Sequence, residues 1–85
     1  MKISDRELIA SYLPRHFRLL AEEGEMEAIA RLRDALRGQE IEAIETYRRG
    51  SGDGVWFRLV GGRVFDRYGW EVDGDPELYL QDGTS

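Results

Sequence analysis

The sequence predicts an α+β domain in which an N-terminal helical hairpin packs on a three- to four-stranded antiparallel β-meander. Residues 1–38 carry apolar side chains at helical spacing, whereas residues 39–82 carry shorter apolar and aromatic runs that glycine-rich turns separate. A chain of 85 residues has the size of one domain. We therefore expect a single domain over residues 1–85, with a frayed tail at residues 83–85.

The first predicted helix begins at Ser4, because Ser4 and Glu7 have the spacing of a capping box. Pro14 lies inside the helical pattern and lacks the N–H that a helix interior needs. The apolar stripe nevertheless continues across it, so we predict one helix with a kink at Leu13 rather than two helices. The residues of this stripe are Ile9, Leu13, Phe17 and Leu20.

A second helix is predicted over residues 25–37, between Gly24 and Gly38. Its inward residues are Ile29, Leu32 and Leu36. Residues 39–49 follow as a first strand, although their apolar spacing is also compatible with a helix.

The remaining chain predicts strands that alternate with turns. GSGDG at 50–54 is a loop, VWFRLV at 55–60 and RVFDRYGWEV at 63–72 are strands, and DGDP at 73–76 is a turn. ELYLQ at 77–81 would add a fourth strand.

Gly61 and Gly62 predict the register of the hairpin if they are its two central turn residues. Alternation along the strands then separates two faces. The face expected to meet the helices carries Val55, Phe57, Leu59, Val64 and Tyr68. The other face carries Trp56, Val60 and Phe65 interleaved with Arg58, Arg63 and Arg67.

The net charge of −5 comes entirely from residues 68–85. Residues 1–67 contain twelve basic and twelve acidic side chains, so their charges cancel. The acidic residues of the C-terminal part are Glu71, Asp73, Asp75, Glu77 and Asp82, with no lysine or arginine among them. A second acidic run consists of Glu22, Glu23, Glu25 and Glu27.

Several chemistries have no residues to support them. The chain has no cysteine, one histidine at position 16 and one lysine at position 2. Thiol catalysis, a zinc site and a phosphate-binding loop are therefore disfavoured, and His16 is expected to be a packing residue. A weak cation site at Asp73, Asp75 and Glu77 is less favoured than a solvated turn. We expect no enzymatic activity, no cofactor and no metal.

The arginine-aromatic face has three interpretations. The arginine stems could simply cover the rings, or the face could bind a protein, or it could stack single-stranded nucleic acid. The acidic balance disfavours nucleic acid. The predicted binding residues are Trp56, Arg58, Phe65, Arg67, Glu71, Asp73, Asp75 and Glu77.

We hypothesise a protein-binding module of the kind encoded by phages and plasmids to inhibit host nucleic-acid machines, including anti-CRISPR proteins. The runner-up is a small regulator that binds RNA or single-stranded DNA. The absence of cysteine suits a reducing cytoplasm, and no apolar run in the sequence is long enough to predict a membrane span. The chain is expected to fold alone or with a second copy of itself.

Overall fold

Two helices pack on one face of a four-stranded antiparallel sheet in this computed structural model, which describes residues 2–49 and 52–72. The predicted α+β class is therefore confirmed. Neither helix in the described ranges combines the length and the hydropathy needed to cross a membrane. The elements are β1 Lys2–Ile3, α1 Arg6–Glu22, α2 Met26–Leu36, β2 Ile41–Arg49, β3 Gly52–Leu59 and β4 Val64–Asp66.

Helix α1 begins one residue later than a Ser4 cap would place it. Asp5 is the N-cap, and its carboxylate accepts hydrogen bonds from the backbone N–H groups of Glu7 at 2.9 Å and Leu8 at 3.2 Å. A carboxylate at this position also interacts favourably with the helix dipole. The capping role predicted for Ser4 was wrong. The helix continues through Pro14, and the kink at Leu13 stays a prediction.

The connection between the two helices is a Schellman motif. Gly24 has φ of 78°, its N–H donates to the Ala21 carbonyl, and the N–H of Glu25 donates to the Leu20 carbonyl at 2.8 Å. Glu25 is then the N-cap of α2, and its own carbonyl accepts from Ile29 at 3.1 Å. One residue therefore ends the first helix and starts the second, which leaves the Glu25 backbone little freedom.

The sheet resolves one open question and adds a strand that the sequence did not predict. Residues 41–49 form strand β2, so the helical alternative for this segment is excluded. The additional strand is β1, which has two residues and pairs with β2 through Ile3 and Ile44. A two-residue strand is too short for its alternation to be recognised in a sequence. The predicted turn at 73–76 and strand at 77–81 lie outside the described residues.

The core lies between the helices and the inner face of the sheet. Phe57 and Ile44 are cross-strand partners at its centre, and both are fully buried. The helices contribute the other buried members of this cluster, which are Ile9, Leu20, Ala28, Ile29 and Leu32. The prediction that Phe57 faces the helices is confirmed.

The predicted register between β3 and β4 was wrong by one residue. Phe57 pairs with Phe65, not with Asp66. The loop has three residues, because Leu59 donates its N–H to the Arg63 carbonyl at 2.8 Å and accepts from Gly62 at 2.9 Å. Gly62, with φ of 95°, takes the left-handed position that ends such a loop. Phe65 therefore joins the inner face, and Val64 moves to the outer one.

Candidate functional site

Trp56 and Arg58 lie on the outer face of the sheet, as predicted, but neither is fully open to solvent. Trp56 is only 7% exposed. The Arg58 guanidinium donates to the Glu45 carboxylate at 3.1 Å, and both of these side chains are largely buried. The ring of Trp56 therefore presents little surface for stacking, and the charge of Arg58 is already paired.

The two other residues predicted for this face lie elsewhere. Phe65 is buried on the inner face because of the register described above. Arg67 follows β4 in a turn, and its guanidinium donates to the Glu23 carboxylate at 2.9 Å, at the C-terminal end of α1. The structure therefore does not assemble Trp56, Arg58, Phe65 and Arg67 into one surface, and their binding role stays a prediction.

His16 is a buried side chain that joins α1 to the turn containing Arg67. Its Nε2–H donates to the Arg67 carbonyl at 2.9 Å, and its ring lies 5.1 Å from the Phe57 ring, edge to face. Burial lowers the pKa of His16, a shift that the nearby positive charge of Arg67 adds to, whereas the hydrogen bond and Glu23 oppose it. A neutral, fully packed imidazole fits the packing role expected from the sequence.

Glu71 forms an ion pair on the protein surface. Its carboxylate accepts two hydrogen bonds from the Arg63 guanidinium, at 3.1 and 3.2 Å. The hydrogen bonds from Arg63 lower the pKa of Glu71 and raise that of Arg63. The remaining predicted acidic residues, Asp73, Asp75 and Glu77, lie outside the described residues, so their role also stays a prediction.

Residues 66–70 form a second turn with a three-residue loop, and its hydrogen-bond pattern is the one described above for residues 59–63. Asp66 donates its N–H to the Trp70 carbonyl at 2.9 Å and accepts from Gly69 at 3.1 Å. Its carboxylate also accepts from the backbone N–H groups of Tyr68 and Trp70, both at 2.9 Å. These bonds fix the turn in one conformation.

The 66–70 turn packs closely on helix α2. Gly69 has φ of 84°, and a β-carbon at this position would lie 2.6 Å from the backbone nitrogen of Leu32. The Arg31 guanidinium donates to the Tyr68 carbonyl at 2.7 Å and lies 3.7 Å from the centre of the Trp70 ring. The turn therefore holds Trp70 beside the first turns of α2.

A groove of about 260 Å³ lies between α2 and this turn, and we call it the α2 groove. Trp70, at its edge, is 58% exposed. The other aromatic side chains whose burial the structure describes are buried or half-buried. The residues that line the α2 groove are Glu25, Glu27, Ala28, Arg31, Tyr68 and Trp70.

The α2 groove has a negative balance of charge. Two carboxylates, those of Glu25 and Glu27, and one guanidinium, that of Arg31, line it. Arg31 is already engaged by the Tyr68 carbonyl and the Trp70 ring, whereas neither carboxylate forms an ion pair within the described part of the chain. The two unpaired carboxylates therefore make the groove electrostatically suited to binding a cation.

The sequence contains a local turn signal at this site, and the strand predicted over residues 63–72 did not take it into account. Asp66 and Gly69 are the residues that a type I turn favours at its first and fourth positions. Reading this turn would have ended β4 at Asp66 and placed Trp70 beyond it. The proximity of Arg31 and Glu27 to Trp70 depends on tertiary packing, and no local pattern indicates it.

Comparison with protein families, with curated proteins and with solved structures gives no match. Within residues 2–49 and 52–72, no group of three or more side chains of the types that bind metals comes together.

Proposed function

We propose that this chain is a non-enzymatic protein-binding module that inhibits a nucleic-acid machine, as anti-CRISPR proteins do. The observation that carries the proposal is the exposed Trp70, held at the edge of a negatively charged groove by a turn with little freedom to move. Tryptophan is among the residues most enriched at the energetic centres of protein interfaces. A groove that is already ordered loses less conformational entropy when a partner binds.

The acidic surface supports the choice of partner. Glu22, an exposed residue at the end of α1, precedes the groove residues Glu25 and Glu27 in the chain, whereas Glu23 is paired with Arg67. Proteins that bind nucleic acids present basic surfaces, and complementary charge directs association with them. The net charge of −5, whose excess lies in residues 68–85, suits the chain to occupying such a surface.

Binding of RNA or single-stranded DNA through the outer sheet face has less support. Base stacking needs an accessible ring and neighbouring free cations. Trp56 is 7% exposed, and Arg58 is paired with Glu45.

The proposal is tested by affinity purification of the tagged chain from nuclease-treated lysate of the source organism. We expect a discrete protein to be retained by the wild type and lost with Trp70→Ala. Val60→Ala is the matched control, because Val60 is similarly exposed but lies in the loop between β3 and β4, which we call the 59–63 turn. Retention that occurs only when the nuclease treatment is omitted, or that Trp70→Ala and Val60→Ala both preserve, would contradict the proposal.

A further inference from the structure

We propose that the α2 groove binds an arginine side chain of the protein partner. The inference rests on the proposed function and adds the chemistry that the partner must present. It follows from the size of the groove, its charge and the unoccupied surface of Trp70.

The size of the groove favours one side chain over a small-molecule ligand. Its volume is about 260 Å³, and it is open to solvent. Sites that bury small molecules usually enclose about 300–1,000 Å³. A single side chain of a protein partner needs less enclosed volume than a small molecule, because the rest of the partner binds outside the groove.

The charge of the groove selects a cation. Glu25 and Glu27 both line it and have no ion-pair partner within the described residues, so an entering cation would find two free carboxylates. An anion would meet both of them against the single positive charge of Arg31, which also bonds the Tyr68 carbonyl and lies on the Trp70 ring. An apolar side chain would desolvate the carboxylates without compensation.

The aromatic wall favours arginine over lysine. The Arg31 guanidinium lies over the Trp70 ring, 3.7 Å from its centre, and covers that face, yet 58% of Trp70 remains exposed. A planar guanidinium can stack on that exposed surface and donate to a carboxylate in the same arrangement, whereas an ammonium group cannot stack. The contact between Arg31 and Trp70 is an example of the same pairing within the chain.

The backbone around the groove is fixed before any partner arrives. The Schellman motif holds Glu25 through Leu20, and Gly69 packs against the Leu32 backbone. We therefore expect the wild-type groove to bind a simple arginine peptide without rearrangement.

The test is a titration of the ¹⁵N-labelled chain with a blocked hexapeptide of alternating arginine and glycine. We expect the indole N–H signal of Trp70 and the amide signal of Gly69 to shift, with Kd on the order of 1 mM for one anchored side chain. The lysine-glycine peptide should bind more weakly, and the glutamate-glycine peptide should cause no shift.

Three charge variants separate the groove from the general acidity of the surface. Glu25→Gln and Glu27→Gln should each raise Kd by roughly threefold, the size expected for one exposed ion pair. Glu22→Gln removes the same charge from an exposed residue outside the groove lining, and should leave Kd unchanged. Trp70→Ala, read at the Gly69 amide, should abolish binding, and it serves as the second variant if a glutamine variant fails to fold.

Several results would overturn the inference. They are an equal effect of Glu22→Gln, an acidic peptide that binds as well as the basic one, and shifts that avoid Trp70 and Gly69. The proposed function fails separately. If the Glu25→Gln, Glu27→Gln double variant retains the partner as well as the wild type does, the arginine site is contradicted and the proposed protein binding stands. If the chain binds the arginine peptide but retains no protein, the proposed protein binding is contradicted and the arginine site stands.

Discussion

The 59–63 turn and the 66–70 turn share one hydrogen-bond pattern and differ in their surroundings. Each ends its loop with a glycine of positive φ, Gly62 at 95° and Gly69 at 84°. A β-carbon on Gly62 would meet no atom within 4 Å, whereas one on Gly69 would meet the Leu32 backbone at 2.6 Å. Local sequence thus specifies the conformation of a turn, and packing decides whether the turn only reverses the chain or also builds a site.

The largest effect is expected from Gly69→Ala. The β-carbon would impose left-handed strain of roughly 1–2 kcal/mol and would also force α2 away from the turn, at a further cost of roughly 1–3 kcal/mol. We expect the free energy of unfolding, measured by urea titration, to fall by about 3 kcal/mol or more. A domain of this size has a free energy of unfolding near the lower end of the usual range, which is about 5–15 kcal/mol. The variant would therefore lose most of its stability.

The same variant should disturb the groove before it unfolds the chain. The amide signals of Arg31 and Leu32 should shift, because these residues contact the turn. A loss of stability no greater than that of Gly62→Ala would show that the close approach of Gly69 to α2 is not maintained in solution.

Acidification should destabilise the 66–70 turn through His16, with an intermediate effect. The pKa of His16 is lowered in the folded chain by burial, so the unfolded chain binds the proton more readily at its ordinary value of 6.5. The free energy of unfolding should therefore be highest above pH 6.5 and fall as the pH decreases below it.

Urea titrations at about pH 7.5 and about pH 5.5 keep clear of most carboxylate titration. His16→Gln should reduce the difference between the two conditions. An NMR titration that gives His16 a pKa above 6.5 would contradict the prediction, since the sign of the effect would then reverse.

A smaller effect is expected from Gly62→Ala, the counterpart of Gly69→Ala in the 59–63 turn. Open space surrounds the position, so only the strain of positive φ remains, which is roughly 1–2 kcal/mol. Thermal unfolding followed by circular dichroism would measure it. Gly62→Asn should recover part of the loss, because asparagine tolerates the left-handed region.

The two helices and the antiparallel sheet were predictable from sequence, and the register of the hairpin was not. Apolar spacing over many residues identifies α1 and α2, because each helix must bury one stripe. The hairpin depended on which residues form the loop. Gly61 and Gly62 satisfy a two-residue turn as well as the observed loop of three residues, so local chemistry leaves both registers open.

The candidate site was less predictable than the fold. Trp56 stands between Val55 and Phe57 in the sequence, and Trp70 stands between Gly69 and Glu71. The tertiary structure is what shows that the first is buried and the second exposed. Arg31 and Glu27 reach the 66–70 turn from a helix about forty residues earlier. Contacts between distant segments leave no trace in local periodicity, which is why the sequence analysis singled out Trp56 and did not single out Trp70.

The smallest effect on stability, and the largest on function, is expected from Trp70→Ala. Its backbone bonds to Asp66 do not depend on the side chain, so the turn should persist. Loss of the contact with Arg31 should lower the free energy of unfolding by only about 0.5–1 kcal/mol. Loss of an exposed tryptophan from an interface should instead weaken partner binding by about 2 kcal/mol or more, or roughly thirtyfold in Kd. Parallel urea and affinity titrations would measure both, with Val60→Ala as the control in the 59–63 turn. If the two variants weaken binding equally, the distinction between the turns has no functional meaning.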